Sequence, residues 1–527
     1  MEEKFKIILF LCNWGPHVAY QTLQELRADI PLEINMVRIP CSGRISKALL
    51  FKPFELGADG VILMGCKDGA CRYGTGTTAA KENVEDTRQI MELMGLGKER
   101  LQLGNFLPDE PEALLAFLKA FSQRIQTLGK SPIVPSARSD VKEGEVEAPE
   151  AIVGRHDVFA CQDCGKCTSA CPLALAGKSY SPRYVATEII ADRADAPQVR
   201  DMVNACLTCG TCYERCPSAI NFPAFIQEMR AHYHSRTITA EPSHGGFFQS
   251  MMRAMTSETL MPKRWEKLSS KIRIQARSKT LFYGGCASYF DIFFRKFIEV
   301  NTGRILEDSL KLLNFFDVEP MVLADERCCG HDLLWSGDRA NFLRLAKQNA
   351  RAISESGAEE LITACPECAY TLGKTYKDHG IDLPVKIVHM HEYLEQEIGK
   401  GAVAFKPLAN NVIFQDACRQ SRLNDQAGLP RKLLQRLCNN GGNLIDSQAP
   451  SECCGNSAWT GCDAFSKAMQ IKRLNRAKQS GGNLMITACP KCQIHLQCAM
   501  EDVVRGDALK MEMMDLTSAI AQAIYWE

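Results

Sequence analysis

The chain of 527 residues lacks an excess of charge of either sign, because Lys plus Arg and Asp plus Glu both number 62. This balance gives no reason to expect binding to nucleic acid or to an acidic membrane surface. Long hydrophobic runs are also missing, since none approaches the roughly 18 to 20 residues of a membrane-spanning helix. The short apolar stretch at 7–11 follows two glutamates, which is typical of a buried strand rather than of a signal peptide. We therefore expect a cytoplasmic protein without a membrane span.

Complete glycine-rich nucleotide loops are absent too. Gly74-Thr75-Gly76 and Gly95-Leu96-Gly97-Lys98 form neither GxGxxG after a strand nor GxxxxGK[ST]. We interpret the glycines at 74 and 76 as residues that let backbone N–H groups approach a site near Cys71. The sequence thus predicts no flavin or nicotinamide site in this chain.

Cysteine, in contrast, is abundant, with 25 residues. A reducing cytosol keeps thiols reduced, so a disulfide framework does not explain them. Most are grouped by spacing, as metal ligands are. The exceptions are Cys438, Cys462 and Cys498, which we expect to pack as small hydrophobic residues.

The first 130 residues alternate predicted strands and helices. Short apolar segments lie at 6–11, 34–39 and 60–64, and segments of helical periodicity lie at 18–27 and 46–56. This alternation predicts a parallel α/β domain at 1–130.

Four cysteines lie near the ends of these predicted strands. Cys12, Cys41 and Cys66 each come just after a strand, and Cys71 lies in the following loop. Because parallel sheets place their sites at the carboxyl ends of strands, we expect these thiolates to converge. Four thiolates suit a [2Fe-2S] cluster or a zinc ion equally well by number. Structural zinc usually draws on paired ligands in short knuckles, which favours the [2Fe-2S] cluster here; packing without metal is the third alternative.

Residues 131–154 are predicted to be a linker. The stretch 131–151 contains three prolines, small residues and an acidic run at 143–150. About 20 flexible residues have a root-mean-square reach of roughly 25 Å, which allows the flanking domains to move.

A CxxCxxCxxxCP run occurs twice, at 161–172 and at 206–217. This run is specific for two-cluster ferredoxins, in which the fourth cysteine of each run ligates the other cluster. The assignment gives one [4Fe-4S] cluster to Cys161, Cys164, Cys167 and Cys216, and the other to Cys206, Cys209, Cys212 and Cys171. Crossed ligation keeps the two cubanes close, which suits stepwise electron transfer. The helix-forming composition of 182–205 predicts a helical ferredoxin domain at 155–230.

The rest of the chain contains an internal duplication. Ile362-Thr363-Ala364-Cys365-Pro366 recurs at 486–490, and Trp335-Ser336-Gly337 recurs as Trp459-Thr460-Gly461. Strands are predicted before the cysteines, at 281–283, 360–363, 412–414 and 483–487. We expect two tandem α/β domains, at 280–402 and 403–527, preceded by a connector at 231–279 that packs on its neighbours.

Each copy of the duplication supplies five thiolates, more than a tetrahedral metal or one cubane cluster needs. The first set is Cys286, Cys328, Cys329, Cys365 and Cys368. The second set is Cys418, Cys453, Cys454, Cys489 and Cys492.

These motifs carry a resemblance that covers nearly the whole chain. Residues 280–500 resemble the B subunit of heterodisulfide reductase and the wider family of cysteine-rich CCG domains, and residues 155–230 resemble the C subunit of that enzyme. The N-terminal domain resembles the delta subunit of methyl-viologen-reducing hydrogenase, through Cys12-Asn13-Trp14, Pro40-Cys41-Ser42-Gly43-Arg44 and Gly65-Cys66-Lys67-Asp68-Gly69.

The resemblance implies a set of cofactors. Each complete CCG motif of the family holds a noncubane [4Fe-4S] cluster with five cysteines, and a disulfide is cleaved between the two clusters. Together with the delta subunit's [2Fe-2S] cluster and the two cubane [4Fe-4S] clusters, this implies five clusters on the chain. It also implies partner proteins: a hydrogenase, formate dehydrogenase or other electron donor, and an FAD-containing A subunit that bifurcates electrons.

Two departures from the family pattern are visible. Gly15 stands where the delta subunit usually has the second cysteine of a CxxC, although four ligands remain. In Asp416-Ala417-Cys418-Arg419 the family commonly has proline and histidine beside the cysteine, which leaves the substrate open.

We therefore predict a disulfide reductase component, or the reverse thiol oxidase, of a heterodisulfide-reductase-like complex. The hypothetical mechanism is a relay from the cubanes to the paired noncubane clusters, followed by homolytic S–S cleavage with one thiolate captured at each. One alternative is a pure electron conduit to another reductase, such as one acting on a CoA thioester or a folate. Another is a binding or structural protein with zinc in some cysteine sets.

Three histidines and one pair of charged residues each allow a functional and a structural interpretation. His331, His389 and His391 can donate a proton to a departing thiolate, but such histidines more often lie on the surface or are satisfied in the core. Lys491, opposite Glu367 in the repeat, can raise the potential of one cluster, but solvation of both charges is the commoner arrangement.

Overall fold

The structure is a computed structural model that describes residues 4–135, 147–266, 268–401, 403–406, 408, 410–438, 443–445 and 452–526. The chain forms two units by its internal packing. Unit 1 comprises Met1–Arg138 and His244–Arg264, and unit 2 comprises Ser139–Ser243 and Trp265–Glu527.

The strands belong to three parallel sheets. They are β1 (Ile7–Cys12), β2 (Ile34–Ile39), β3 (Gly60–Gly65), β4 (Leu101–Asn105), β5 (Thr280–Phe282), β6 (Glu360–Thr363), β7 (Lys386–His389), β8 (Asn411–Gln415), β9 (Asn443–Ile445), β10 (Leu484–Thr487) and β11 (Glu512–Asp515).

Helices connect the strands and build the domain between the sheets. They are α1 (Pro16–Glu25), α2 (Lys47–Glu55), α3 (Gly76–Leu93), α4 (Pro111–Leu128), α5 (Pro149–Arg155), α6 (Lys166–Ser169), α7 (Pro172–Leu175), α8 (Pro182–Ile190), α9 (Pro197–Ala205), α10 (Thr211–Glu214), α11 (Phe222–Ser235), α12 (Phe247–Ala254), α13 (Ala287–Ile298), α14 (Thr302–Phe315), α15 (His331–Trp335), α16 (Arg339–Ser356), α17 (Pro366–Tyr370), α18 (Tyr376–Asp378), α19 (Met390–Lys400), α20 (Gly428–Cys438), α21 (Ala464–Gln479), α22 (Pro490–Met500), α23 (Gly506–Leu509) and α24 (Leu516–Ala523). Short 3-10 helices cover Ser42–Arg44, Lys98–Arg100, Val158–Ala160 and Ser243–Gly246, and π-helical turns cover Thr371–Thr375 and Arg419–Leu423.

Unit 1 contains a four-stranded parallel sheet in the order β2-β1-β3-β4. The predicted parallel α/β domain is confirmed, and β4 is a fourth strand that the apolar pattern did not reveal. Strand β3 is buried along its whole length, as expected for the inside of a sheet covered on both faces. Because all four strands are parallel, their carboxyl ends lie at one edge, where the first cysteines are found.

A segment from the predicted connector completes unit 1. Helix α12 packs on α2, with the rings of Phe51 and Phe247 5.5 Å apart. Arg253 pairs with Glu55 at 2.5 Å. Gly95 has φ +76°, and a Cβ there would lie 1.7 Å from the carbonyl oxygen of Met261, so glycine is needed for this close approach.

Unit 2 begins with the predicted helical ferredoxin domain. Helices α5 to α11 enclose a core that includes Ile152, Val199, Phe225 and Tyr233. The stretch predicted as helix-forming gives α8 and α9, each begun by a proline at its first turn. Residues 136–146 of the predicted linker lie outside the described residues, and Pro149–Arg155 is helical. The domain boundaries drawn from the sequence remain predictions.

The tandem α/β domains are also confirmed. The first has the sheet order β5-β6-β7 and the second the order β11-β10-β8-β9. Both share one hydrophobic core, in which Phe282 and Ile362 of the first domain belong to the same cluster as Phe414 and Ile486 of the second. This common core makes the two repeats a single packing unit. No helix within the described ranges is long and apolar enough to cross a membrane.

Arg230 ties the ferredoxin domain to the first repeat. Its buried guanidinium donates to the carbonyl oxygens of Val203 at 3.0 Å, Asn204 at 2.9 Å and Cys206 at 2.5 Å. It also donates to the carbonyl oxygen of Trp335 at 2.7 Å. The backbone just before Cys206 and that cysteine itself are thus held in place by a side chain of α11.

Replacement of this guanidinium tests its structural role. We expect Arg230→Met to destabilise unit 2 by about 3 kcal/mol, because four buried carbonyl groups lose their donors. Differential scanning calorimetry of the anaerobically purified protein measures the shift in melting temperature. Arg236→Met, immediately after the same helix, is the control, since Arg236 pairs with Asp195 near the surface. Equal shifts in both variants would contradict the assigned role.

Candidate metal centres

The N-terminal cysteines meet at one edge of the sheet in unit 1. Cys12 ends β1, Cys41 follows β2 and Cys66 follows β3. The neighbouring order β2-β1-β3 places the three strand ends side by side. Cys71 joins them, because its thiol is hydrogen-bonded with that of Cys41, while that of Cys66 is hydrogen-bonded with that of Cys12.

Two glycines leave room for these thiols. A Cβ on Gly76 would lie 2.7 Å from the Cys41 Sγ and 2.8 Å from the Cys71 Sγ. Gly15 faces the set as well, since a Cβ there would lie 3.5 Å from the Cys66 Sγ and 2.7 Å from the Phe106 carbonyl oxygen. Position 15, where the delta subunit usually has a further cysteine, therefore still borders the site.

The electrostatic surroundings of these thiols differ. Burial raises the pKa of Cys66 to about 11. Burial acts in the same direction on Cys71, but backbone N–H groups of Tyr73, Gly76 and Thr77 outweigh it and hold the pKa of that thiol below its ordinary value. Two of these donors belong to the first turn of α3, whose N-terminus favours negative charge. This agrees with the interpretation of Gly76 as a residue that lets N–H groups approach the site.

The two ferredoxin runs fold into the same local shape. Asp163 and Thr208, each two residues after the first cysteine of its run, have φ +51° and +46°. Gly165 and Gly210 then follow in the left-handed region before α6 and α10. Such positive φ values are uncommon for residues other than glycine, so the surrounding structure must hold the duplicated turn in this conformation.

The fourth cysteine of the first run lies with the second run. Cys171 borders a cavity together with Cys206, Cys209 and Cys212. Burial raises the pKa of Cys171 to about 12, and the nearby Cys206 and Cys209 thiols act in the same direction. This proximity fits the crossed ligation expected from the sequence.

The first five-cysteine set forms a continuous group of thiols. The Sγ atoms of Cys368 and Cys329 are 3.6 Å apart. Cys328 interacts with Cys286 and Cys329, and Cys368 interacts with Cys365.

The backbone around this first set is held by donors and by a glycine. The N–H of Gly330 donates to the Cys328 Sγ at 3.4 Å. Asn349 donates to the carbonyl of Cys328 at 2.9 Å, and Tyr376 donates to that of Cys329 at 3.0 Å. A Cβ on Gly285 would lie 2.7 Å from the Cys368 Sγ.

The second five-cysteine set is grouped in the same way. Cys454 interacts with Cys453 and Cys492, and Cys492 interacts with Cys489. Cys418 faces this group, because the Cys454 thiol acts to raise its pKa, which burial brings to about 11.

His495 adds a contact to this second set that the sequence analysis missed. Its Nδ1 lies 3.6 Å from the Cys454 Sγ. Burial, together with the nearby Lys491, lowers the pKa of His495 to about 3, so the ring is neutral. The Cys492-x-x-His495 spacing on α22 is the signal that could have revealed it.

The second five-cysteine set touches the ferredoxin domain. A hydrogen bond between the thiols of Cys209 and Cys453, together with burial, raises the pKa of Cys209 well above its ordinary value. Cys453 also packs in the hydrophobic cluster of the ferredoxin domain. Cys209 belongs to the second CxxCxxCxxxC run, so this run is the one that adjoins the second set.

The two five-cysteine sets are joined by a buried ion network. Lys491 and Glu367, at equivalent positions of the repeat, form a salt bridge of 2.6 Å with side chains only 7% and 14% exposed. Lys491 also pairs with Asp332, which accepts a hydrogen bond of 2.8 Å from His331 Nδ1. Burial opposes the charge of Lys491, but the two carboxylates hold its pKa well above the ordinary value.

This network corrects the expectation that Lys491 and Glu367 are solvated. Three side chains here lie close enough together to hold a metal ion: His331, Asp332 and Glu367. The ammonium of Lys491 already supplies a positive charge at this place. His331 is buried, as are His389 and His391, whose rings contact each other at 4.4 Å. The interpretation of these histidines as core residues agrees with their burial.

The three single cysteines differ in their surroundings. Cys438 is buried in the shared core of the repeats, as expected for a packing residue. Cys462 is exposed, so the packing prediction is wrong for it. Cys498 is half-buried, with Lys467 Nζ 3.9 Å from its Sγ.

The donor sets fit iron-sulfur clusters chemically. Thiolates are the ligands that such clusters use, and N–H groups directed at sulfur stabilise them. Backbone donors, or a glycine that a Cβ would bring against sulfur, lie beside the thiols of the N-terminal set, the second dicluster run and both five-cysteine sets.

Comparisons with known proteins give the family. The model for the methyl-viologen-reducing hydrogenase delta subunit matches residues 7–129. The iron-sulfur D subunit of the F420-non-reducing hydrogenase from Archaeoglobus profundus is 30% identical over 131 residues, which are 24% of this chain and 96% of that relative. The chain belongs to this delta-subunit family. The match concerns the N-terminal domain, to which the first four cysteines belong.

The remaining domains match two further models. A 4Fe-4S dicluster domain matches residues 157–220, and the cysteine-rich CCG domain matches 281–373 and 412–497. The D subunit of the dihydromethanophenazine:CoB–CoM heterodisulfide reductase from Methanosarcina acetivorans is 25% identical over 404 residues, covering 70% of this chain and 94% of that relative. The resemblance stated from the motifs is thereby confirmed.

A further relative matches this chain over only part of its length. The B subunit of the fumarate reductase (CoM/CoB) from Methanothermobacter marburgensis is 26% identical over 209 residues, covering 39% of this chain. The chain spans 41% of the length of that relative.

Substitution of Gly76 tests the N-terminal set. We expect Gly76→Val to lower the iron content by about two atoms per chain, because the added side chain meets the sulfurs of Cys41 and Cys71. Iron analysis and visible absorbance of anaerobically purified protein measure the change. Gly154→Ala is the control, since a Cβ there meets nothing within 4 Å. Full iron content in Gly76→Val would contradict the placement of the site.

Substitution of Lys491 tests the ion network. We expect Lys491→Met to destabilise unit 2 by about 3 to 5 kcal/mol, because Asp332 and Glu367 become uncompensated buried charges. The exchanged variant Lys491→Glu with Glu367→Lys keeps a pair and should recover part of this loss. Thermal unfolding followed by calorimetry compares the three proteins. An unchanged melting temperature in Lys491→Met would show that the pair contributes nothing.

Proposed function

We propose that this chain is the iron-sulfur electron-transfer and disulfide-reductase component of a heterodisulfide-reductase-like complex. The observation that carries the proposal is the contact between Cys209 and Cys453. It joins a dicluster run to a five-cysteine set, and the pair Lys491–Glu367 joins that set to the other. A ferredoxin relay thus adjoins a double centre of the kind that handles sulfur in the heterodisulfide reductases.

The proposed cofactors are one [2Fe-2S] cluster, two cubane [4Fe-4S] clusters and two noncubane [4Fe-4S] clusters. The [2Fe-2S] cluster is assigned to Cys12, Cys41, Cys66 and Cys71, and the cubanes to the crossed sets of the two runs. The noncubane clusters are assigned to the two five-cysteine sets. When bound, these clusters store single electrons and offer iron to sulfur ligands.

The side chains around the double centre bury it and compensate its charge. Cys328, Cys329 and Cys492 are all buried, which keeps water away from the thiolates. Lys491 and Arg419 bring positive charge into this interior, and the hydrogen bonds of Asn349 and Tyr376 fix the first cysteine doublet. Burial combined with fixed donors is the setting in which electron transfer requires little rearrangement.

Partner proteins are proposed from the relatives and from the absence of a flavin motif in the sequence. The A. profundus relative is named as a hydrogenase subunit, and the M. acetivorans relative as a heterodisulfide reductase subunit. We propose an FAD-containing A subunit that bifurcates electrons, and a hydrogenase, formate dehydrogenase or other donor, in the cytoplasm of the cell. Cys164 of the first run is exposed, so this run is the proposed acceptor in the ferredoxin domain.

A second candidate is a pure conduit that passes electrons to another reductase, such as one acting on a CoA thioester or a folate. The observation that favours it is the ion network, because Lys491, in the first turn of α22, directly contacts Glu367 of the equivalent helix α17 and Asp332 of α15. A disulfide lying between the two sets has to displace these contacts, whereas a conduit leaves them intact.

Cluster content and turnover together test the proposal. We expect about 18 iron atoms per chain and turnover of a small disulfide, such as cystamine or dithiodiglycolate, with reduced methyl viologen. Electron paramagnetic resonance after addition of oxidant and thiol should show a paramagnetic species. We expect Cys365→Ser to lose turnover and this signal while the ferredoxin clusters remain. Cys438→Ser, in the core outside the sets, is the control.

The outcomes separate the candidates. Far fewer iron atoms than expected would refute the cluster assignment. Full reduction of all clusters without turnover, and without a signal from added thiol, would favour the conduit.

A further inference from the structure

Arg419 contacts three parts of unit 2 at once. The side chain is buried, and its Nη1 donates to the carbonyl oxygen of Thr208 at 2.6 Å. Its Nη2 donates to the Thr208 Oγ1 at 3.0 Å, and its Nε donates to the Nε2 of His331 at 3.0 Å. The guanidinium also lies 4.1 Å above the ring of Trp335, with Nη1 3.7 Å from the Cys418 Sγ.

These contacts join the three elements that meet at the double centre. Thr208 lies between Cys206 and Cys209 of the second dicluster run, and Cys418 belongs to the second five-cysteine set. His331 and Trp335 belong to α15 of the first repeat. One guanidinium is thus bonded to the ferredoxin turn, to its own repeat and to the other repeat.

The bonds to His331 also orient that ring. Its Nε2 accepts from Arg419, so the proton lies on Nδ1, which donates to Asp332. Asp332 in turn pairs with Lys491. Arg419 is therefore continuous with the ion network between the two five-cysteine sets.

Thr208 combines a positive φ with a β-branched side chain, which its counterpart Asp163 in the first run does not have. Thr208 has φ +46°, a conformation that costs free energy in a residue with a Cβ. Its carbonyl and hydroxyl are both bonded to Arg419, and the hydroxyl also contacts the Ser457 Oγ at 2.8 Å. In the first run, Asp163 also has a positive φ, and Arg183 contacts both its carbonyl oxygen at 3.3 Å and its carboxylate at 3.2 Å, but these contacts lie at the surface.

We propose that Arg419 is a positioning residue that fixes the second dicluster run against the second five-cysteine set and thereby sets the rate of electron transfer between them. Cys209 and Cys453, the thiols that meet at this junction, lie on the two segments that Arg419 holds together. Electron transfer slows steeply as the distance between redox centres grows, so a small displacement of the Thr208 turn has a large effect. The inference rests on the proposed function only in requiring clusters at both sets.

The geometry of the guanidinium is what this role requires. Its planar fork directs donors from Nε, Nη1 and Nη2 to separate acceptors, whereas an ammonium is a compact charge on a flexible stem. Arg419→Lys therefore keeps the charge beside Cys418 and removes the directed bonds. It separates an electrostatic effect from a positional one.

The test measures internal electron transfer in the full cluster-loaded chain. We expect Arg419→Lys to retain its iron and to reduce the second five-cysteine set severalfold more slowly, because the directed bonds that hold the Thr208 turn are lost. Rapid freeze-quench electron paramagnetic resonance after mixing with reductant follows the arrival of electrons. In the fully reduced protein, the magnetic coupling between the neighbouring clusters should weaken as well.

Matched variants make the result decisive. Arg183→Lys removes the corresponding guanidinium contacts with Asp163 in the first run and should leave the rate at the second set unchanged. Thr208→Val removes the hydroxyl, with its contacts to Arg419 and Ser457, but keeps the carbonyl acceptor, so it should slow transfer in the same direction by less than Arg419→Lys. If Arg419→Lys loses iron, the rate of internal electron transfer in Thr208→Val tests the proposal instead. Wild-type rates in iron-replete Arg419→Lys, or in Thr208→Val where the first variant loses iron, would overturn the proposal.

This readout is independent of any disulfide. Normal internal transfer without disulfide turnover would refute the reductase proposal and leave the role of Arg419 intact. Disulfide turnover together with unaltered internal transfer in the iron-replete Arg419→Lys variant would refute the role of Arg419 and leave the reductase proposal intact.

Discussion

The salt bridge between Lys491 and Glu367 is the interaction on which the close approach of the two five-cysteine sets depends. Both charges are buried, so each is stable only beside the other and beside Asp332. The residues occupy equivalent positions of a duplicated sequence, one inside each CxxC. The duplicated motif begins a helix in each repeat, and opposite charges at the equivalent position allow the first turns of these two helices to meet. A pair of like charges there would hold the two five-cysteine sets apart.

The ferredoxin domain is attached to this double centre by arginines. Arg230 fixes the carbonyl groups around Cys206, and Arg419 holds the turn between Cys206 and Cys209 from the other side. Arg230 donates to four backbone carbonyl oxygens, whereas Arg419 donates to one carbonyl and to the side chains of Thr208 and His331. The domain is thereby placed by directed hydrogen bonds as well as by hydrophobic packing, which suits a relay in which distances between clusters matter.

Much of the fold follows from local patterns. The strands β1, β2 and β3 were predicted within a residue at each end, because apolar runs bounded by turn residues are a strong local signal. Strand β4 was missed because its sequence, Leu101-Gln102-Leu103-Gly104-Asn105, is short and partly polar. The attachment of α12 to unit 1 was not foreseen, since the packing of Phe247 on Phe51 joins residues far apart in the chain. The expectation that Lys491 and Glu367 are solvated failed for the same reason, because a charge is buried only when a distant partner meets it.

The sequence by itself determined the inventory of the molecule: parallel α/β domains, a helical dicluster domain and five groups of cysteines whose spacing is typical of metal ligands. Spacing can do this because ligands that close one site on a strand end or a tight turn must recur at fixed intervals. Tertiary structure alone decided which dicluster run adjoins which five-cysteine set, through Cys209 and Cys453, and what lies between the two sets. Those relations depend on contacts between residues separated by 88 to 244 positions, such as Arg419 with His331 and Cys209 with Cys453, and no local pattern records them.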